Sequence, residues 1–143
     1  RTPVDRSFIV VLGGPGIGQM QAFYRDTLGL TVLPRFGSVV AVLNAAHDLP
    51  RDTRTPLSLV ALSSSDALEL DEYPASATAR PCRPGDLPPG IAMVGLSATA
   101  LTGATLLWRT PPTLRARDDP HAGLHAGLIV GAAAERIEVI ASG

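Results

Sequence analysis

Apolar residues fall in short blocks along this chain, and the spacing inside each block differs. Residues 8–12 form a continuous apolar run of strand length. Ile17, Met20, Phe23, Tyr24 and Leu28 then recur every three or four positions, which is the spacing of one helix face. Gly29 follows as a helix stop. Residues 30–36 predict a second strand, with Pro34 marking an edge or a bulge. Residues 39–47 satisfy two patterns. Val39, Val42, Leu43 and Ala46 fit a short helix, and the β-branched side chains fit a strand. "DLPRDTRTP" reads as a loop, and residues 57–62 and 67–72 predict two more strands joined by "SSSD".

Residues 74–90, "PASATARPCRPGDLPPG", are rich in proline and poor in large apolar side chains, so they predict an extended linker. After it the pattern restarts. "AMVGLSATALTGATLLWR" lies under "FIVVLGGPGIGQMQAFYR" without a gap, with Val94 under Val10, Leu96 under Leu12 and Trp108 under Tyr24. This alignment predicts a second helix that includes Leu107, Trp108 and Arg109. "RIEVI" likewise matches "ALELD", so Glu138 falls under Glu69. The order of strand, helix and strands ending in apolar-Glu-apolar thus occurs twice. The second copy is shorter, and "TPPTLRARDDP" reads as a loop that replaces part of it. The division is a first module over residues 1–73, the linker over 74–90, and a shortened second module over 91–143, together one domain.

Composition narrows the classes of function. The chain has 143 residues, 45% hydrophobic and 17% charged, enough to build a core and too apolar for a disordered chain. Its net charge of -1 gives no basic surface for nucleic acid. All basic residues are arginine, so neither a lysine Schiff base nor a P-loop lysine is available. Cys82 is the single cysteine, which excludes an internal disulfide and a thiolate-rich metal site. No apolar run has the length of a membrane span and no signal peptide is visible, so the expectation is a soluble cytoplasmic protein without membrane partners.

"IVVLGGPGIGQM" has the look of a phosphate-binding loop. A Walker A loop needs Lys and Ser or Thr after its last glycine, because the ammonium reaches the outer phosphates and the hydroxyl holds Mg²⁺. Gly13 and Gly18 have the spacing, but Gln19 and Met20 occupy those two positions. The dinucleotide pattern fails as well, since Gln21 stands where its third glycine belongs. The stretch therefore reads as a strand-to-helix turn.

"FYRDTLGLTVL" resembles the helix-end signature of the vicinal oxygen chelate superfamily, the glyoxalase, bleomycin-resistance and extradiol dioxygenase group. "ALELDEYP" and "ERIEVI" are similar to its module-ending strands, and the resemblance extends over both halves. It implies an α+β fold of two βαβββ modules. Their curved mixed sheets surround a shared cavity, and the helices pack on the convex side. It further implies a homodimer. In catalytic members it implies a divalent metal held by four side chains, one from the first and one from the last strand of each module.

The last-strand positions are occupied by Glu69 and Glu138. Period-2 alternation turns Leu68 and Leu70 toward the helix and Glu69 and Asp71 the other way, and Ile137 and Val139 do the same for Glu138. The first-strand positions, near residues 7–9 and 91–93, hold no His, Asp, Glu or Cys. Two carboxylates alone do not make a zinc or iron site. Were a metal bound, its ligands would be Glu69, Glu138 and His125, which precedes the strand "AGLIVG". Two carboxylates facing an apolar cavity should raise one pKa and could move a proton. Pairing with an arginine such as Arg35 or Arg136 would instead leave Glu69 a structural role. Tyr73 either anchors "DEYP" or lines the cavity mouth.

These residues give a glyoxalase/bleomycin-resistance-like protein that binds a small, largely apolar organic molecule and carries no cofactor. Glu69, Asp71, Tyr73, His125 and Glu138 are its candidate ligand-binding residues, and Glu69 and Glu138 its candidate catalytic pair. Two alternatives stand beside it: a metal-dependent lyase, isomerase or dioxygenase with an atypical ligand set, and a non-enzymatic sequestering protein. If the chain is an enzyme, lyase- or isomerase-type proton transfer is expected ahead of oxygen chemistry.

Overall fold

In the computed structural model, which describes residues 9–62, 66–79, 81–87, 90–99 and 107–141, the chain divides into two units between Thr78 and Ala79. The first contains β1 (Ile9–Gly14), α1 (Ile17–Ala22), a π-helical turn (Phe23–Thr27), β2 (Thr31–Val32), β3 (Phe36–Val39), α2 (Ala41–Ala46), β4 (Arg54–Ala61) and β5 (Ala67–Glu72). Its sheet runs β1-β5-β4-β2, with β3 also paired to β4. β1 is parallel to β5, and the other pairs are antiparallel.

The register sorts this sheet into two faces. Val10, Leu68 and Val60 lie side by side, and Leu12, Leu70 and Ser58 form the adjacent row. α1 packs on β4 and β5, and Ile17, Met20 and Tyr24 are buried there with Leu68 and Leu70. Each such side chain contributes about 1.5–3 kcal/mol on full burial, so this layer is the main source of the unit's stability. The buried Ser58 hydroxyl is satisfied within it: Gln21 donates to it at 2.9 Å, and it donates to the Leu33 carbonyl at 2.7 Å. The helix stops where the sequence places the stop. Gly29 has φ +67° and donates its N–H to the Arg25 carbonyl at 3.1 Å.

The second unit contains β6 (Met93–Ala98), β7 (Thr110–Leu114), β8 (His125–Val130) and β9 (Arg136–Ala141), in the order β6-β9-β8-β7. Its first and last strands are again parallel neighbours. Val94 pairs with Ile137 and Leu96 with Val139, as Val10 pairs with Leu68 and Leu12 with Leu70. The sequence matches between the two first strands and between the two last strands are therefore also matches of hydrogen-bond register. Ile129, Ile137, Val139 and Ala141 form the buried face. Trp108 lies across Gly127 on that face, where a Cβ would come within 2.5 Å of the ring.

Three expectations are corrected. Residues 30–36 do not form one strand: they are interrupted between β2 and β3, where Pro34 has no N–H to donate, although Leu33 still bonds the Leu59 carbonyl at 2.8 Å. Residues 107–109 are not helical. Arg109 donates to the Leu128 carbonyl at 2.8 Å and leads into β7, so "TPPTL" is a strand rather than a loop. Its register shifts between Thr110 and Thr113, across the two prolines. The rest of the expected second helix, residues 100–106, lies outside the described residues, as do residues 63–65 of "SSSD". The ambiguous stretch 39–47 resolves as the end of β3 and α2. No described helix is long and apolar enough to cross a membrane.

Candidate functional site

Alternation along β5 sends Leu68 and Leu70 under α1 and leaves Glu69 and Asp71 on the opposite face. There Glu69 stands between Val11 of β1 and Leu59 of β4, and Asp71 stands between Gly13 and Leu57. Val11 is 49% exposed, whereas Asp71 is only 4% exposed. Burial first, then the neighbouring Glu69 charge and a hydrogen bond with Glu69, push the Asp71 carboxyl up to about 6. Asp71 Oδ1 is buried and has no hydrogen-bond partner. Among the described residues no cation pairs with Glu69 or Asp71.

The glycines of the first loop serve this face. Tyr73 donates its N–H to the Gly14 carbonyl at 2.8 Å, and its ring lies across Gly13. A Cβ on Gly13 would come within 2.0 Å of the ring, so the absent side chain lets the ring lie in this position. Tyr73 is thus an anchor against β1, and at 39% exposure it also borders the Glu69–Asp71 face. The start of α1 is closed by the protein itself: Ile17 donates its N–H to a Glu72 carboxylate oxygen at 2.9 Å. That carboxylate occupies the position an anion would take at the helix N-terminus.

In the second unit, Gly95 of β6 and Leu128 of β8 flank Glu138. Its side chain is 13% exposed and forms an ion pair with Arg115, just beyond the end of β7. Asp119 Oδ2 lies 3.9 Å from Arg115 Nε, and His121 Nε2 lies 4.0 Å from Glu138 Oε2. Asp119 Oδ1 accepts the His121 backbone N–H at 2.7 Å, which fixes the turn carrying the imidazole. His125 is placed elsewhere. It is opposite Ala141 in the β8–β9 ladder and so shares a face with Ile137 and Val139, the reverse of the Glu138 face. Its Nδ1 is buried without a partner.

The structure therefore brings together Glu69, Asp71 and Tyr73 in one unit, and sets Glu138 apart from His125 in the other. The residues that sequence reasoning missed are Arg115, Asp119 and His121. Their signal was the charged run "RARDDPH", which reads as loop until β7 and β9 are known to flank β8 in one sheet. Among the described residues neither Arg35 nor Arg136 pairs with Glu69, and it is the equivalent Glu138 that pairs with an arginine, Arg115. The strand positions beside the two glutamates are Val11 and Gly95, which carry no donor. Among the described residues no three His, Cys, Asp or Glu side chains are grouped as metal ligands.

No family model and no curated protein matches the sequence. Solved structures do match the fold. A glyoxalase family protein from Bacillus cereus is 12% identical with a TM-score of 0.65, over 99% of this chain and 96% of that one. A glyoxylase/bleomycin resistance protein/dioxygenase domain from Frankia sp. EAN1pec is 14% identical with a TM-score of 0.65, over 96% and 98%. A glyoxalase/dioxygenase from Nostoc punctiforme is 11% identical with a TM-score of 0.64, over 96% and 91%. Two mixed sheets, each with its first and last strands parallel and each last strand carrying a glutamate, give this chain the fold of the glyoxalase/bleomycin resistance protein/dioxygenase superfamily.

Proposed function

We propose that this protein binds a small, largely apolar organic molecule on the face of its first sheet that carries Glu69 and Asp71, without the divalent metal of the catalytic members. One observation carries the reading: a carboxyl oxygen of Asp71 is buried and unpartnered beside apolar Val11, Leu57 and Leu59. Buried polar atoms in folded proteins nearly always have partners, and a guest's donor would supply this one. The metal centre implied by the resemblance does not fit the donor set. Glu138 already has Arg115 as its cation, and Val11 and Gly95 offer no ligand atom beside either glutamate.

A second reading adds turnover to binding. A carboxyl that titrates near 6 and shares a hydrogen bond with a neighbouring carboxylate is suited to accept and return a proton at neutral pH. This favours isomerase- or lyase-type proton transfer on the same face.

The test is a ligand-observed NMR screen of small aromatic and aliphatic compounds against the wild type and Val11→Arg. Val11 is half exposed, so the arginine is tolerated and blocks the face. Hits on the wild type should disappear in V11R. Hits that persist unchanged in V11R would place the ligand elsewhere and overturn the proposal. Elemental analysis of protein purified without chelator checks the metal, and a stoichiometric transition metal lost in both E69Q and E138Q would establish the metal-dependent alternative instead.

A further inference from the structure

The internal repeat supplies a comparison within one molecule. Glu69 and Glu138 occupy equivalent positions, each on the last strand of its sheet beside the parallel first strand. Glu138 is neutralised by a guanidinium from its own unit. Among the described residues Glu69 has no such partner, and Asp71 stands two residues along on the same face as a second carboxyl. Asp71 is only 4% exposed, one of its oxygens has no hydrogen-bond partner, and once ionised the group can only accept. Buried charge of this kind is retained where a partner of opposite sign arrives.

We infer that the organic ligand of the Glu69–Asp71 face bears a protonated amine, which takes on this face the role that Arg115 plays for Glu138. The inference rests on the ligand-face reading above and names the chemical class of the guest. An ammonium brings both things the pair lacks: up to three N–H donors for the Glu69 and Asp71 oxygens, and a positive charge. An alcohol brings a donor without the charge. A carboxylate would add a third negative group. A bare divalent ion would need several more oxygen ligands, and the flanking positions are Val11, Gly13, Leu57 and Leu59. Those side chains instead suit an alkyl or aryl body attached to the amine.

The test uses three probes with nearly the same apolar body: 2-phenylethylamine, 2-phenylethanol and 3-phenylpropionate. Affinities are measured by titration calorimetry at pH 7.5 on the full chain, for the wild type and for E69Q, D71N and the double variant. The expected result is that the amine binds the wild type at least tenfold more tightly than the alcohol. That preference falls to about unity in E69Q/D71N, through loss of amine affinity. Equal binding of amine and alcohol overturns the amine inference and leaves the ligand face standing. Displacement of the amine by millimolar Mg²⁺ or Mn²⁺ with a fixed stoichiometry overturns it in favour of a metal. No binding of any probe, with V11R also indistinguishable from wild type in the screen, overturns the ligand face itself. The carboxyl variants remove repulsion rather than packing, so loss of folding does not confuse the outcome.

Discussion

Asp71 is the residue whose energetics are most out of balance. Its folded-state pKa of about 6 lies above the ordinary value of 3.8. Over the window between them the folded protein keeps a proton that the unfolded chain has released. The unfolded state then binds fewer protons, so stability falls as pH rises through the window and levels off above it. At about 1.4 kcal/mol per pKa unit the loss is on the order of 3 kcal/mol by pH 8. Asp71→Asn should therefore be more stable than wild type at pH 8 by roughly 1–2 kcal/mol, with the difference shrinking toward pH 4.5. Urea unfolding at the two pH values measures it, and an equal difference at both would mean that Asp71 titrates normally. This residue and Glu69 were legible in the sequence because their direction follows from the alternation along one strand. Arg115 and His121 were not, because their contact with Glu138 depends on a loop folding back across the sheet from β7.

Among the elements, the strands with clean alternation were legible and the interrupted ones were not. β5 presents Leu68 and Leu70, and β9 Ile137 and Val139, on one face, which a single sequence displays directly. β2 and β3 are short, and β7 contains Pro111 and Pro112, so their pairing comes from neighbouring strands rather than from local preference. The link between β7 and β9 gives a prediction at this scale. Arg115→Met leaves the Glu138 carboxylate with only His121 at 4.0 Å and should cost roughly 1–3 kcal/mol. Adding Glu138→Gln should recover most of that cost, since the variant pair no longer holds an uncompensated charge. Chemical denaturation of the two single variants and the double variant closes the cycle. An Arg115→Met variant as stable as the wild type would mean that the pair contributes nothing.

At the scale of the molecule, the sequence between the two sheets is a proline-rich connection whose described residues 81–87 are all exposed. Exposed connections between compact units are preferred sites of proteolysis. Here, however, Arg83 is followed by Pro84, a bond that trypsin does not cut. Limited trypsin digestion should leave this segment intact, and Pro84→Ala should open it to give two fragments by mass spectrometry. A Pro84→Ala chain that stays uncut there would show that the connection is held tightly rather than exposed. The repeat that these units form was visible as an order of motifs, and the registers of the first and last strands reproduce it. The loops that distinguish the copies were not visible, because one copy of a repeat does not constrain the loop lengths of the other.

That distinction has an evolutionary meaning. Two identical subunits related by a two-fold axis must carry every substitution twice, so an arginine that neutralises a glutamate in one copy neutralises it in both. Joining two copies in one chain removes that constraint. One glutamate can then be retired into the framework by a neighbouring guanidinium while its twin stays free to change. In this chain Arg115 pairs with one of the two equivalent glutamates, so the two halves already differ in charge at matched positions.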